Sequence, residues 1–486
     1  MAGLAGIRGS AEKEIDVAPL LNCIVHRGPD SRRMYHSSSL SAGVVASHLS
    51  DVRGDGFAMK GDIAVLLDGE ICNDRNGNVS DAEIILRTFE KHGRNFPAYL
   101  NGAFACAVAA GDRLYLARDP VGIRPLYWGR TAAGDLCFAS EMKALSRTAV
   151  DIYELHPSTV LSSNDGVSMY LPHYPDVSIP ERFADAVGQL RELIFSAVQR
   201  RLEDGAAGGC FLSGGLDSSI IAAVMNQIDP SLPVFTVGIE GAPDIENAVL
   251  MAKHLGVQHH VYVYDAREVK EILPEAVRIL ESFDEDCIVG AIANLIASSF
   301  AAKSTNCLLS GEGGDELFGG YHLLKDLATD GERLQMMKKL IDISYNTAIQ
   351  RLDRAMMGNS ITYRVPFLDP EVIAYALQIP VQWKIHPVNG DLVEKYILRE
   401  AFKDLLPTEI YQRRKLRFSM GTGTENLMDE VTGSLIDEQE FDKESQQTKA
   451  GYFLNSPQEH LYYRIFKYYF PHISFEKLVG RWDPNK

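Results

Sequence analysis

The first third of the chain alternates short apolar runs with turn residues, which is typical of a β-rich fold. Residues 63–70 (IAVLLDGE) form an apolar run that ends in Asp-Gly-Glu, and residues 104–117 hold two apolar runs around Gly111 and Asp112, a hairpin signal. Between these segments Ile84, Ile85 and Phe89 recur at helical spacing ahead of Gly93. The pattern therefore predicts paired strands and one amphipathic helix that ends at a glycine.

A segment with three prolines, residues 172–183, separates this part from a second part with a different rhythm. Beyond it, apolar runs such as 208–215 and 232–240 alternate with helical stretches such as 248–256, the order of βαβ units around a parallel sheet. From about residue 323 helical periodicity dominates, with a polar surface loop predicted at 438–449 and an aromatic stripe at 462–470 expected in the core. We expect an α/β protein with domains at residues 1–175 and 180–486.

The composition is that of an ordinary globular protein with an excess of acidic residues. Among 486 residues, 48 are Lys or Arg and 65 are Asp or Glu, which gives a formal charge of −17, and 46% are hydrophobic. Such a charge repels phosphate backbones and anionic lipids, and no stretch approaches the roughly 20 apolar residues of a membrane span. The first residues also lack a signal-peptide pattern. We therefore expect a cytoplasmic protein without a nucleic-acid or membrane partner.

The seven cysteines are scattered and include no C-x-x-C pair. This spacing predicts buried reduced thiols rather than disulfides or a zinc site.

The strongest chemical signal is the loop Ser213-Gly214-Gly215-Leu216-Asp217-Ser218-Ser219, which lies between an apolar run and a helical run. A strand, a glycine turn and a helix N-terminus present free backbone N–H groups and hydroxyls at one point, which suits a pyrophosphate. The loop lacks the lysine of nucleotide-hydrolysing P-loops, so transfer of a terminal phosphoryl group is not the expected reaction. A plain glycine turn with a serine cap would need fewer of these residues.

A second signal is the sequence LSGEGGDE at residues 309–316. Its carboxylates Glu312, Asp315 and Glu316 follow an apolar run, and they repel one another unless a cation or a proton lies between them. Asp217 and Asp315 are together predicted to hold Mg²⁺ on the pyrophosphate of ATP. When the motif is taken alone, an exposed acidic turn is the alternative.

Together with further motifs in the same order, these loops resemble the asparagine synthetase family over nearly the whole chain. The other matches are HRGPD at 26–30, GIRPLY at 122–127, SEMKAL at 140–145, RVPFLD at 364–369, ILR at 397–399 and the lysine of Arg414-Lys415. The resemblance implies an N-terminal Ntn-hydrolase-like αββα sandwich and a C-terminal ATP-pyrophosphatase domain, a doubly wound parallel sheet with added helices. It also implies that a substrate carboxylate attacks the α-phosphate of ATP and that an amine then takes the acyl group.

The same resemblance implies roles for individual residues. Asp217 and Asp315 match metal-binding carboxylates, Lys415 matches the lysine that stabilises charge on the pyrophosphate, and Glu312 matches the position where asparagine synthetases carry glutamate. A carboxylate beside an incoming amine can take its proton. The nucleotide would be bound by Leu212, Ser213, Gly214, Gly215, Asp217, Ser218, Ser219, Val237 and Gly311. Lys395, Arg399 and Arg364 are further candidates for contact with phosphates, although a helix-surface role is equally open for the first two.

The N-terminal half departs from the family at its glutamine site. Ala2 stands at the place of the nucleophilic cysteine, and a methyl group cannot attack glutamine. The arginine that grips the glutamine carboxylate is replaced by His48, and the asparagine of the N-G-E motif by Asp68, although Glu70 and Asp81 match. A lone alanine would also fit an engineered knock-out, but three losses together indicate natural decay of the site.

The acceptor side departs from the family as well. The arginine that the family uses in aspartate handling aligns with Val289, and the glutamate before the R-V-P-F-L-D motif is Thr362. Loss of a guanidinium removes a bidentate partner for a carboxylate, so aspartate is in question as the acyl substrate.

We therefore expect an ATP- and Mg²⁺-dependent amide ligase that does not use glutamine and that joins a small-molecule or peptide carboxylate to ammonia or an amine. Two alternatives stay open: an intramolecular cyclase like β-lactam synthetase or lasso-peptide cyclase, and a pseudoenzyme or subunit that a partner supplies with ammonia. Glu312 favours an external amine over the tyrosine-based cyclisation of β-lactam synthetases. The sequence does not fix the oligomeric state, and a homodimer is one open arrangement.

Overall fold

The computed structural model describes residues 2–9, 16–48, 53–73, 79–175, 177–436 and 447–481. In its N-terminal part the strands form two antiparallel sheets, with the orders β10-β8-β9-β1-β3-β2 and β12-β11-β7-β6-β5-β4. Their bounds are β1 (Ala2–Arg8), β2 (Ser31–His36), β3 (Leu40–Ala46), β4 (Phe57–Lys60), β5 (Ile63–Ile71), β6 (Gly102–Ala110), β7 (Arg113–Arg118), β8 (Tyr127–Thr131), β9 (Leu136–Ala139), β10 (Ala149–Glu154), β11 (Thr159–Ser162) and β12 (Gly166–Met169).

The two sheets pack face to face through one core cluster that contains side chains of both, among them Leu4, Val44, Leu66 and Ala107. Helices α1 (Ala18–Cys23) and α3 (Met142–Leu145) cover the outer face of the first sheet, and α2 (Asp81–His92) covers the second. The result is the expected αββα sandwich.

Two local predictions for this part are confirmed. Strands β6 and β7 form a hairpin around Gly111. Helix α2 begins with a capping box between Ser80 and Glu83 and ends at Gly93, whose φ of 54° favours glycine.

The C-terminal part is built on a parallel sheet with the order β15-β14-β13-β16-β17. Its strands are β13 (Cys210–Phe211), β14 (Val234–Gly238), β15 (His259–Val263), β16 (Cys307–Leu309) and β17 (Thr362–Arg364). The chain runs outward from β13 to β15 and then returns to the other side of β13, so β13 and β16 flank the point where the strand order reverses. In such doubly wound sheets ligands bind at the carboxyl ends of these two strands.

Helices lie on both faces of this sheet, and most of the chain after β17 is helical as well. Helices α4 (Phe183–Leu202), α5 (Leu216–Ile228) and α6 (Pro243–Leu255) share one core cluster, whereas α7 (Ala266–Leu280) and α8 (Glu285–Ala301) share another. The remaining elements are α9 (Gly314–Phe318), α10 (Asp330–Ile343), α11 (Ala348–Met357), α12 (Pro370–Gln378), α13 (Val381–Lys384), the hairpin β18 (His386–Val388) and β19 (Asp391–Val393), α14 (Tyr396–Phe402), α15 (Thr408–Gln412), α16 (Phe418–Gly421), α17 (Thr424–Gly433), α18 (Pro457–Tyr469) and α19 (Ile473–Glu476).

Some of the other sequence predictions are confirmed by the structure and others are not. Tyr462 and Phe466 of the aromatic stripe are buried on α18, as predicted. The cysteines are free thiols as expected, and five are buried. Cys72 is only half-buried, and Cys23 is exposed because it lies at the end of the short surface helix α1. Most of the loop predicted at 438–449 lies outside the described residues. None of the helices in the described part combines the length and apolar character that crossing a membrane requires.

Ion pairs hold the two halves of the chain together. Arg364, the last residue of β17, is buried and contacts Glu70 of the N-terminal half at 3.0 Å and Asp204 at 2.6 Å. Arg53 of the N-terminal half contacts Asp204 at 2.6 Å. The sequence left Arg364 as a candidate phosphate contact, and this is wrong because its guanidinium is enclosed between the halves.

These contacts predict an acid-sensitive interface. Burial raises the pKa of Glu70, but the charges of Arg364 and Arg53 outweigh it and hold the pKa at about 2, below the ordinary value of 4.5. Because the folded-state pKa is depressed, the stabilisation is complete above pH 4.5 and is lost as the pH falls towards 2.

We expect Glu70→Gln to lower the free energy of unfolding at pH 7 by about 3 kcal/mol, since it breaks a buried ion pair. The deficit relative to the wild type should shrink when urea unfolding is repeated at pH 3.5. Glu90→Gln, in the exposed pair with Lys60, is the control and should cost less than about 1 kcal/mol. A Glu70→Gln deficit that is equal at both pH values would contradict this account.

Candidate active site

The loop after β13 forms the first wall of the candidate site. Gly214 has a φ of 67°, and a Cβ there would lie 2.5 Å from the backbone nitrogen of Ala248, so only glycine fits. The Ser218 hydroxyl accepts a hydrogen bond from the Ser213 backbone N–H and donates one to the Gly215 carbonyl. These bonds fix the loop at the N-terminus of α5, where backbone N–H groups favour an anion.

The loop after β16 lies directly against the first loop because β13 and β16 are neighbours. A Cβ on Gly311 would lie 2.8 Å from the backbone nitrogen of Ser218, and a Cβ on Gly314 would lie 2.8 Å from the carboxylate of Asp217. Both glycines are therefore needed for the close approach. They bring Asp315, on the first turn of α9, next to Asp217.

Two lysines from distant parts of the chain join these two carboxylates. The ammonium of Lys395 bonds to Asp217 and lies 2.7 Å from Asp315 Oδ1, while Lys415 Nζ donates to Asp315 Oδ2 at 2.6 Å. Burial acts against the charged form of Asp315, but the two lysines hold its pKa well below the ordinary range. Asp315 therefore stays ionised at neutral pH.

Lys395 is the main residue whose central place the sequence did not establish. It is 2% exposed, and its φ of 56° is rare for a residue with a side chain. Arg399, one turn further along, lines a small cavity together with residues of the first loop. It donates to the carbonyls of Glu394, Tyr411 and Arg413 and thereby fixes the segment that carries Lys415.

Two small cavities adjoin this cluster. The nucleotide pocket, about 130 Å³ in volume, is lined by Leu212, Ser213, Val237, Gly311, Glu312 and Lys415 among others. A second cavity of about 70 Å³, the phosphate pocket, is lined by Gly215, Lys395 and Arg413 among others. The structure thus brings the predicted residues of both loops together, except that Ser219 is fully buried and its hydroxyl does not face either pocket. Gly214 shapes the loop without lining either pocket.

The carboxylates of the cluster suit a magnesium ion bound through a nucleotide. In the part of the chain that the structure describes, no three or more His, Cys, Asp and Glu side chains are grouped to hold a metal. Asp217 and Asp315 nevertheless face one cationic position, which the Lys395 ammonium occupies. Mg²⁺ is often held by one or two carboxylates, with phosphate oxygens and waters as the other ligands.

Glu312 lies where the nucleotide pocket opens into a larger cavity of about 410 Å³, the inner chamber. Arg351 of α11 and Lys415 line both spaces as well. Burial raises the pKa of the Glu312 carboxyl, and Asp315 and Asp217 add to this rise while Arg351 and Lys415 oppose it. A raised pKa brings a carboxylate closer to the range in which it accepts a proton effectively at neutral pH.

The residues that differ from the expected glutamine site in sequence include two, Ala2 and Asp68, that are buried. Ala2 is 2% exposed in the middle of the first sheet, paired with Ala46. The fully buried carboxylate of Asp68 accepts a hydrogen bond from the Ser140 hydroxyl at 2.8 Å and lies 3.1 Å from Arg27. Burial raises the pKa of Asp68.

The two matching residues of that site also take part in ion pairs. Glu70 contacts Arg364 at 3.0 Å, as described above, and Asp81 lies 3.4 Å from Arg53. His48 is exposed, and its backbone contacts Asp30 and Asn306.

Comparison with known proteins gives matches over both halves. Residues 189–344 and 330–464 match the sequence profile described as asparagine synthase, and residues 1–164 match that of the glutamine amidotransferase domain. The chain is 30% identical to asparagine synthetase [glutamine-hydrolyzing] 1 of Saccharomyces cerevisiae, with 95% of this chain and 92% of the relative covered. It is also 30% identical to asparagine synthetase B [glutamine-hydrolyzing] of Escherichia coli, with 95% and 88% covered.

Among solved structures, a glutamine phosphoribosylpyrophosphate amidotransferase from B. subtilis is 15% identical with a TM-score of 0.30, covering 54% of this chain and 81% of that chain.

The contact between the two loops predicts that two glycine substitutions change the stability of the protein in opposite directions. Gly311→Ala places a methyl group against the backbone of α5, so we expect a lower melting temperature and ATP binding weakened by about tenfold or more. Gly188→Ala, on an open face of α4, should instead stabilise the protein by about 0.5 to 1 kcal/mol. Thermal unfolding and titration calorimetry with ATP and Mg²⁺ check both. Unchanged ATP binding in Gly311→Ala would refute the assignment of this contact.

Proposed function

The chain belongs to the asparagine synthetase family, and on this premise we propose that it is an ATP- and Mg²⁺-dependent ligase that forms an amide without hydrolysing glutamine. The homologues in this family are ATP-dependent carbon–nitrogen ligases. In our proposal a substrate carboxylate is joined to AMP with release of pyrophosphate, and the acyl group then passes to ammonia or to an amine on a small molecule or peptide.

The observation that carries the proposal is the convergence of Asp217, Asp315 and Lys415 beside the loop of residues 213–219. When bound, Mg²⁺ would neutralise the phosphates and polarise them for attack. The two carboxylates would hold that ion, and the Ser213 to Ser218 loop would bind the phosphates through its N–H groups. Lys415 would place its charge where negative charge develops on the departing pyrophosphate. Simple nucleotide binding would not require this lysine.

Glu312 is assigned to the second half of the reaction. It lines both the nucleotide pocket and the inner chamber, so it borders the place where an acyl-adenylate and an amine must meet. An amine that attacks the acyl carbon has to lose a proton, and AMP leaves as the new C–N bond forms. A carboxylate at this position with a raised pKa is suited to accept that proton.

Independence from glutamine is supported by the N-terminal half. Ala2 offers no nucleophile, and the buried Asp68 places a carboxylate, engaged by Arg27 and Ser140, where the family has a neutral asparagine. A negative or strongly hydrogen-bonded group there does not favour an oxyanion. The printed names of the relatives describe glutamine hydrolysis by those proteins, and this chain differs from the family pattern at Ala2, His48 and Asp68.

The nitrogen source is tested by comparing ammonium with glutamine. The purified protein is incubated with ATP, Mg²⁺ and aspartate or another carboxylate, and amide products, pyrophosphate and glutamate are measured. We expect amide formation with ammonium or an amine and no glutamate release from glutamine above the buffer rate. E. coli asparagine synthetase B serves as the positive control for glutaminase activity. Glutamate released by the wild-type chain would refute glutamine independence.

Substitutions of the two assigned catalytic residues should block different steps of the reaction. Glu312→Gln keeps the size of the side chain and removes the proton acceptor, so exchange of pyrophosphate into ATP should persist while amide formation falls by about 10² to 10⁴. Lys415→Ala should retain ATP binding in calorimetry but lose both exchange and amide formation. Normal amide formation in Glu312→Gln, or normal exchange in Lys415→Ala, would remove the corresponding assignment.

A further inference from the structure

The inner chamber continues into a second cavity on the side away from the nucleotide. This outer chamber has a volume of about 590 Å³, and it shares Asp284, Asp286, Arg417 and Ser419 with the wall of the inner chamber. Cavities of roughly 300–1,000 Å³ enclose ligands of drug size. The two chambers together therefore offer far more room than a single small amino acid fills.

One glycine and one half-buried arginine shape the junction with the nucleotide pocket. The guanidinium of Arg351 lies over Gly290, where a Cβ would come within 2.7 Å of Nη1. Arg351 Nε has no hydrogen-bond partner among the described residues, and the nearest ion pair of Arg351 is with Asp286 at 3.7 Å. A guanidinium with an unused hydrogen-bond donor can bind the carboxylate of a ligand. Val289, at the place of the arginine that the family uses for aspartate, lines the outer chamber instead.

The walls of the chambers combine exposed apolar groups with a surplus of acid. Leu416 and Met420 line the inner chamber and Phe453 lines the outer one, and all three are exposed. The outer chamber carries the carboxylates of Asp284, Glu285, Asp286, Glu425 and Glu459, against the cations Lys339, Arg417 and Arg481. Arg417 is shared between Asp286 and Glu425, and Arg481 between Asp284 and Glu459.

This charge balance favours a cationic occupant. Burial raises the pKa of Glu459 to about 7, yet with Glu459 protonated the acids still outnumber the bases. A positively charged group that enters the outer chamber gains a carboxylate partner and relieves repulsion between the acids.

We propose that the acyl substrate is an extended, peptide-like carboxylic acid with a positively charged amino group, its reacting end beside Arg351 and Glu312 and its distal part in the outer chamber. This inference rests on the proposed function and defines its substrate class. It also accounts for the absence of a guanidinium at Val289, because a substrate of this length passes through the space that such a side chain would fill.

The test measures binding, so that it does not depend on turnover. The protein is saturated with Mg²⁺ and α,β-methylene-ATP, which cannot transfer its adenylyl group, and is titrated with aspartate, acetyl-lysyl-aspartate and acetyl-norleucyl-aspartate. The last two differ only in the side-chain charge. We expect the lysyl peptide to bind about tenfold more tightly than aspartate and about threefold more tightly than the norleucyl peptide.

A pair of variants on α17 checks the location. Glu425→Gln removes one carboxylate of the outer chamber, whereas Glu430→Gln removes an exposed one on the same helix outside it. The preference for lysine over norleucine should fall towards one in the first variant and persist in the second. Equal or tighter binding of aspartate, binding of none of the three, or an unchanged preference in Glu425→Gln would overturn the proposal. Binding as expected without pyrophosphate exchange for any carboxylate would count against the proposed function instead.

Discussion

The site depends on the contact between two glycine loops at the carboxyl ends of adjacent parallel strands. Strand β13 leads to Ser213 and Gly214, and β16 leads to Gly311 and Gly314. None of these three glycines has room for a Cβ, because backbone or carboxylate atoms of the other loop or of α6 lie within 3 Å. The strand order of the sheet makes the loops neighbours, and the glycines let them approach closely enough for Asp217 and Asp315 to face one cation. Without this contact the two carboxylates would belong to separate surface turns.

The positions of Lys395 and Lys415 depend on the same contact between the loops. Two carboxylates in one buried site repel each other unless positive charge compensates them. Lys395 and Lys415 provide that charge from segments far along the chain, and Arg399 holds the Lys415 segment through the backbone carbonyls of Tyr411 and Arg413. Positive charge from these lysines therefore compensates the two carboxylates.

The N-terminal half retains a structural role that is independent of glutamine chemistry. Arg27 is fully buried and contacts Asp68, Glu141 and Asp353, and the last of these belongs to the C-terminal half. Removal of one member of such a buried cluster leaves an uncompensated charge and is strongly destabilising. The sandwich thus also shields charges on the C-terminal half.

Much of this organisation was determined by the sequence alone. Periodicity and turn residues predicted the α/β class, the β6–β7 hairpin and helix α2, because local patterns of burial and turn chemistry decide these elements. The two glycine loops and the pair Asp217 and Asp315 were predicted as well, since such residue types after a buried strand serve few other purposes. The order of motifs suggested Glu312 and Lys415.

Only the tertiary structure decided what depends on contacts between distant residues. Lys395 and Arg364 carry the same kind of charge, yet the first lies between the site carboxylates and the second between the two halves. Lys395 is 178 residues from Asp217 and Arg364 is 294 residues from Glu70, so the fold decides these pairings. Likewise, Arg351 lies over Gly290 and the two chambers adjoin because α8, α11 and α16 pack together. A single sequence records which charges exist, but the geometry of the fold decides which of them meet.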